Sequence, residues 1–162
     1  VRTSGVRIVV SPPGFSDWAD LLALLRSAYA YMDGRIDPAS SLLRMDEAQL
    51  EAKSLDETLI LALDDRGLVG CLFAALRDDC VYVGKLAVDA SARRRGVARA
   101  LMQAAEALAR TNGLAFVELE TRIELPENHA TFAALGFAKV GETAHLGYDR
   151  PTSITMRKPV SD

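Results

Sequence analysis

Between Thr58 and Val88 three apolar runs follow one another with very little chain between them. Thr58 to Leu63 and Leu68 to Leu76 flank the turn Asp64-Asp65-Arg66-Gly67, and Arg77-Asp78-Asp79 leads into Cys80 to Val88. Connections this short join antiparallel neighbours and leave no room for a crossover, so the spacing predicts a three-stranded meander. The chain then changes character. After three arginines and a glycine, Val97, Leu101, Ala104, Ala105 and Leu108 fall on one stripe of a helix. Asn112-Gly113 ends that helix, and Leu114 to Thr121 reads as a strand. A strand reached through a helical crossover is expected to run parallel to Cys80–Val88.

The flanks complete the pattern. Val6 to Val10 is a short strand, and Ser16 or Asp17 stands where a helix cap is needed. Trp18, Leu21, Leu22, Leu25, Ala28, Tyr29 and Met32 then share one helical face. The stretch Asp33 to Ser41 breaks that helix, and Asp46 to Lys53 is a weaker, polar one. Glu127 to Leu135 is a short helix closed by Gly136. Phe137 to Val140 and Ser153 to Arg157 form a last strand pair around a long loop. The expected architecture is one α/β domain over residues 1–162, with a mixed, mostly antiparallel central sheet of about seven strands and flanking helices.

Composition narrows the function classes. Apolar residues make up 49 % of the 162, enough for one sizeable core. The net charge of −3 argues against a general nucleic-acid binder, whose surface would be basic. No apolar run approaches the roughly 18 residues of a membrane span. The first residues carry no signal-peptide pattern and no Met, so a cytoplasmic protein with a trimmed start is expected. Cys71 and Cys80 have neither a C-x-x-C partner nor a nearby His pair. They are expected to be reduced core residues, with no metal site.

Arg93, Arg94 and Arg95 therefore call for a local explanation. They precede Gly96 and a helix, and the first amides of a helix have no intrahelical acceptor and attract anions. Gly96 admits a bulky phosphate close to the backbone, Ala98 keeps the first turn thin, and Arg93, Arg95 and Arg99 add full charges. A pyrophosphate suits such a cradle. The nucleoside-triphosphate P-loop and the dinucleotide fingerprint are both missing.

Two motifs give this pattern a family likeness. Leu86-Ala87-Val88 followed by Arg93-x-x-Gly96-x-Ala98, and Asn128, Ala130 and Phe132 followed by Leu135-Gly136-Phe137, resemble the signatures of the GNAT superfamily of N-acetyltransferases. The order of elements is similar over nearly the whole chain. The resemblance implies acetyl-CoA as cofactor and a sheet splayed between its fourth and fifth strands. It implies that Leu86, Ala87 and Val88 border the pantetheine arm, with backbone groups of Leu86 and Val88 pairing with it. The amides of Arg94, Arg95, Gly96, Val97 and Ala98 would hold the pyrophosphate, and Asn128 would contact the cofactor.

The chain also departs from that family. Many members carry a Tyr, four residues before the Gly of "LGF", that protonates the departing thiolate. Phe132 stands there and has no proton to give. Tyr148 and Tyr82 are alternative donors. Glu120 is the first candidate for the base that deprotonates the amine, with Glu118 second on the same strand face, and His129 and His145 as further candidates. Acceptor binding is expected from Tyr31, Asp33, Arg35 and Asp37 in one loop and from His145, Tyr148 and Arg150 in another.

Three functions follow. One is direct transfer of acetyl from acetyl-CoA to an amine of a small molecule or peptide, without a covalent enzyme intermediate, since no Cys stands in a basic setting. The second is a non-catalytic acyl-CoA sensor, and the third a protein- or RNA-binding module, which the acidity disfavours. Homodimer formation is left open.

Overall fold

The meander forms as its turn lengths require. The computed structural model describes residues 2–3 and 5–161. Its strands are β1 (Arg2–Thr3), β2 (Val6–Val10), β3 (Thr58–Asp64), β4 (Gly67–Leu76), β5 (Cys80–Val88), β6 (Phe116–Arg122), β7 (Ala138–Thr143) and β8 (Ser153–Pro159). They make one mixed sheet in the order β1-β2-β3-β4-β5-β6-β8-β7. Seven of the strands are those foreseen; the two-residue β1 is an addition at the edge. Every neighbouring pair is antiparallel except β5 and β6, which run parallel across the helical crossover.

Two helices cover one face of the sheet. Helix α1 (Trp18–Tyr29) buries Leu21, Leu22, Leu24 and Leu25, and α2 (Glu47–Asp56) contributes Leu50. Together with Leu59, Leu61, Cys71, Phe73 and Ala87 these form one apolar cluster. Asp46 caps α2 in a reciprocal capping box with Gln49. Asp17 occupies the N-cap position of α1, but its side chain makes no capping bond.

The opposite face carries α3 (Val97–Thr111) and α4 (Pro126–Ala134). Val97, Leu101, Met102 and Ala105 meet Val81, Val83, Val117, Leu119 and Met156 in the larger cluster. Helix α3 lies so close to β4 that a Cβ on Gly70 would sit 3.0 Å from Val97 Cγ1 and 3.2 Å from the Ala87 carbonyl. Phe137, expected in a strand, instead plugs this core at 4 % exposure, and β7 begins one residue later.

Two irregularities in β5 create the site. The parallel pairing of β5 with β6 runs from Cys80↔Phe116 to Val83↔Leu119 and stops. Past that point β5 stays with β4 as far as Val88, and β6 stays with β8 as far as Arg122. The sheet therefore opens between its fourth and fifth long strands. The second irregularity is a β-bulge: Lys85 and Leu86 together oppose the single Leu72, between the pairs Phe73↔Gly84 and Cys71↔Ala87. The extra residue reverses the side-chain alternation, so Val81 and Val83 face α3 while Ala87 faces α1.

Candidate active site

The loop after β5 turns sharply to start α3. Arg94 and Gly96 both take left-handed backbone, with φ of 65° and 74°. Gly96 is the N-cap of α3, and no side chain caps that helix. The first intrahelical bond runs from Ala100 N to Gly96 O at 3.0 Å, so the amides of Val97, Ala98 and Arg99 have no intrahelical acceptor. They open on a pocket of about 400 Å³ lined by Arg93, Arg94, Gly96, Val97, Ala98 and Arg99, with Val88 behind. Gathered around a helix N-terminus, these groups make an anion cradle.

The three arginines diverge. Arg93 lines this pocket and also the larger cavity beside it, and Arg94 lines the pocket. The guanidinium of Arg95 instead ion-pairs with Asp64 at 3.1 Å, at the hairpin between β3 and β4. The amide of Arg66, and then Arg95, hold the Asp64 carboxyl below the usual carboxylate range. Arg95 thus ties the cradle loop to the meander with its side chain.

The adjoining cavity, of about 610 Å³, fills the opening between β5 and β6. Leu86, Ala87 and Val88 form one wall, Glu120 and Arg122 the other, with Asn128 and Phe132 of α4 at one end. Phe132 packs edge-on against Phe137 with ring centroids 6.2 Å apart. The Asn128 side-chain amide and the Tyr31 hydroxyl are hydrogen-bonded, with Nδ2 to Oη at 2.9 Å.

The two candidate carboxylates have different surroundings. Glu120 lines the cavity and remains exposed to water. It accepts a hydrogen bond from Thr143 Oγ1 at 2.7 Å. Tyr82 is also in the lining; burial, then the nearby Glu120 charge, pushes that phenol up to about 12. Glu118 lies outside this cavity. It pairs with Arg157 at 2.8 Å and Arg77 at 3.5 Å, while Arg157 also holds Asp79 at 2.9 Å. That network ties the turn between β4 and β5 to β6 and β8.

Tyr148 and Arg150 lie outside the cavity too. Both bind Asp37, through the Tyr148 hydroxyl at 2.6 Å and Arg150 Nη2 at 2.9 Å. Arg35 pairs with Glu127 at 2.7 Å, the Asp37 amide donates to Glu124, and Arg122 donates to the carbonyls of Pro38 and Ala39. The loop between α1 and α2 is thereby strapped across the opening. His145 does line the cavity, its ring bonded to Thr152; His129 lies outside it, its ring bonded to the Arg122 carbonyl. Asp33 donates its amide to the Ala30 carbonyl and lies outside the lining.

Lys85 and Lys53 were missed by sequence reasoning, and both line the cavity. The signal for Lys85 was Gly84-Lys85 inside an otherwise apolar strand, since an isolated glycine there marks a bulge. Cys71 and Cys80 are free and buried, and burial pushes the Cys71 thiol up to about 12. Among the described residues no group of three His, Cys, Asp or Glu is placed to hold a metal ion, and no helix is long and apolar enough to cross a membrane.

Residues 18–137 match the model of the acetyltransferase (GNAT) family, and the chain belongs to that family. Solved structures repeat the fold at low identity. The PaiA N-acetyltransferase of Thermoplasma acidophilum, in complex with coenzyme A, has a TM-score of 0.76 at 14 % identity, covering 94 % of this chain and 99 % of its own. A GNAT acetyltransferase of Elizabethkingia anophelis with acetyl-CoA bound scores 0.66 at 14 %, covering 96 % and 98 %. An acetyltransferase of Streptococcus agalactiae scores 0.73 at 17 %, covering 96 % and 98 %. No curated protein matches the sequence.

Proposed function

We propose that this chain, working as one domain, is an acetyl-CoA-dependent N-acetyltransferase that moves the acetyl group directly to an amine of a small molecule or peptide. The observation that carries the reading is the continuity of the two pockets. The cradle at the start of α3 shares Val88, Arg93, Ala98, Thr131 and Leu135 with the cavity that holds Glu120. The uncapped amides of Val97, Ala98 and Arg99, with Arg93 and Arg94, suit a pyrophosphate, and the β5 wall at Leu86–Val88 suits the pantetheine arm. Acetyl-CoA supplies an activated acetyl thioester.

The protein's part is to position the amine and take its proton. An alkylamine has a pKa near 10.4, so it arrives largely as ammonium. Glu120 accepts the proton, held in place by Thr143 and exposed enough to water to pass the proton on. Phe132 gives no proton to the departing thiol, whose pKa of about 8.5 lets it leave as an anion. Cys71, buried and held protonated, is not a nucleophile, which supports direct transfer.

The test measures acetyl-CoA binding by calorimetry and thiol release with an amine panel, for wild type and Glu120→Gln. Glutamine keeps the shape and cannot take the proton. The variant should bind acetyl-CoA normally and lose about 10²-fold or more in kcat, within the range for a general base. The defect should shrink as pH rises and more amine arrives neutral. Near-normal kcat at neutral pH would remove Glu120 from the role. Binding of acetyl-CoA without thiol release for any amine would favour the sensor reading.

A further inference from the structure

The acceptor side of the 610 Å³ cavity carries a charge imbalance that a simple amine does not explain. Lys53, Lys85 and Arg122 line it, whereas Glu120 is the one carboxylate in the lining among the described residues. Two of these cations have internal compensation. Lys53 Nζ pairs with Glu57 at 2.8 Å. Arg122 donates to two backbone carbonyls, with the charges of Glu124 and Asp37 close by.

Lys85 is different. Its Nζ donates to a neutral hydroxyl, Ser41 Oγ, at 3.1 Å, and no carboxylate among the described residues lies within ion-pair distance. Burial, followed by the like charges of Lys53 and Arg122, holds its pKa below the ordinary lysine value, and Glu57 offsets only part of this. The backbone pays as well, because Lys85 sits at the bulge with φ of 54°, a conformation that costs a residue with a Cβ. A desolvated, repelled ammonium on a strained backbone contributes little to folding. Its position suits binding.

We infer that the acceptor carries an oxyanion, carboxylate or phosphate, on the same molecule as its amine, and that Lys85 binds this oxyanion with Ser41 beside it. The inference rests on the acetyltransferase reading above. It also resolves a conflict within that reading. A lone ammonium would be repelled by the cations of the cavity, whereas a molecule bearing both charges places its oxyanion at Lys85 and its ammonium towards Glu120.

Matched pairs test this: amino acids against their amides, and phosphoethanolamine against ethanolamine. Each is assayed with wild type, Lys85→Met and Lys85→Arg, after calorimetry has shown acetyl-CoA binding in all three proteins. The oxyanion member of at least one pair should have a tenfold or greater advantage in kcat/KM, and the favoured pair identifies carboxylate or phosphate. Lys85→Met should bring that ratio close to one, mainly through KM, and Lys85→Arg should keep most of it. Three results overturn the inference and leave the acetyltransferase reading standing: a wild type that prefers the neutral members, an equal loss on both members in Lys85→Met, or a CoA complex that neither binds nor acetylates any of the four classes. Failure of wild type to bind acetyl-CoA would overturn the acetyltransferase reading and this inference with it.

Discussion

Gly70 is the point where the sheet sets the position of the cradle, and Gly70→Ala tests that link. The added methyl would meet Val97 Cγ1 at 3.0 Å, Leu101 Cδ1 at 3.2 Å and the Ala87 carbonyl at 3.2 Å. The Val97 and Leu101 methyls must give by a few tenths of an ångström inside a packed core, and the carbonyl belongs to the wall strand β5. Alanine in a strand recovers about 0.5–1 kcal/mol of backbone entropy relative to glycine. Overpacking a well-filled core costs about 1–3 kcal/mol. The overpacking should win here, because one of the three contacts is backbone, leaving a net loss of about 1–2 kcal/mol. For a chain of this length that lowers Tm by about 2–8 °C. Differential scanning calorimetry measures it, and acetyl-CoA titration of the folded variant should show weaker binding, since Val97 is the first residue of α3. A Tm equal to or above that of wild type would mean that α3 has slack against β4, and the argument that Gly70 sets the cradle would fail.

The other perturbations act on the site and on the network around Arg157. Gly96→Glu puts bulk, a negative charge and a strained φ at the cradle; acetyl-CoA binding should be lost in a protein that still folds by circular dichroism, and retained affinity would rule out the loop as the pyrophosphate site. Phe132→Tyr should leave turnover unchanged or raise it, because the ring edge borders the cavity; a tenfold fall with normal acetyl-CoA binding would show that an apolar group is required there. Hydrogen bonds from Arg157 hold the Asp79 carboxyl below its ordinary value, so this pair stabilises the fold above the unfolded Asp pKa of about 3.9 and stops doing so as pH falls through the folded pKa. Arg157→Met should therefore flatten the fall of Tm on the acid side of about pH 4, and an unchanged acid limb would remove Arg157 from that role.

The antiparallel meander, the crossover and the glycine turn into α3 were legible because each depends on local chain geometry. Turns this short permit only antiparallel neighbours, and a glycine before a small-residue helix can take left-handed φ whatever surrounds it. The bulge in β5 left one sign in the sequence, the isolated Gly84, but its register was not legible. Val81, Val83 and Ala87 are spaced as if they shared one face, and only the pairing with β4 shows that Lys85 and Leu86 together oppose Leu72 and send Ala87 to the other side. The family likeness located the opening of the sheet, but it did not say which residue stands at the bulge.

Charge pairing sets a harder limit, because it is decided between segments far apart in sequence. In the sequence, Arg93, Arg95 and Arg99 read as charges around one anion site. In the fold, Asp64 at the end of β3 takes Arg95, and only Arg93 reaches both pockets. Glu118 and Glu120 likewise read as twins on one strand face. Arg157 and Arg77 claim Glu118, while the opening of the sheet leaves Glu120 with Thr143 and exposed to water. Tyr148 and Arg150 look like substrate ligands until Asp37, more than a hundred residues earlier, takes both. In each case the residue type marks a candidate and the partner decides its use: a charge answered within the protein holds the fold, and one left facing a cavity without an answering charge is available to a ligand. Lys85 meets that second condition.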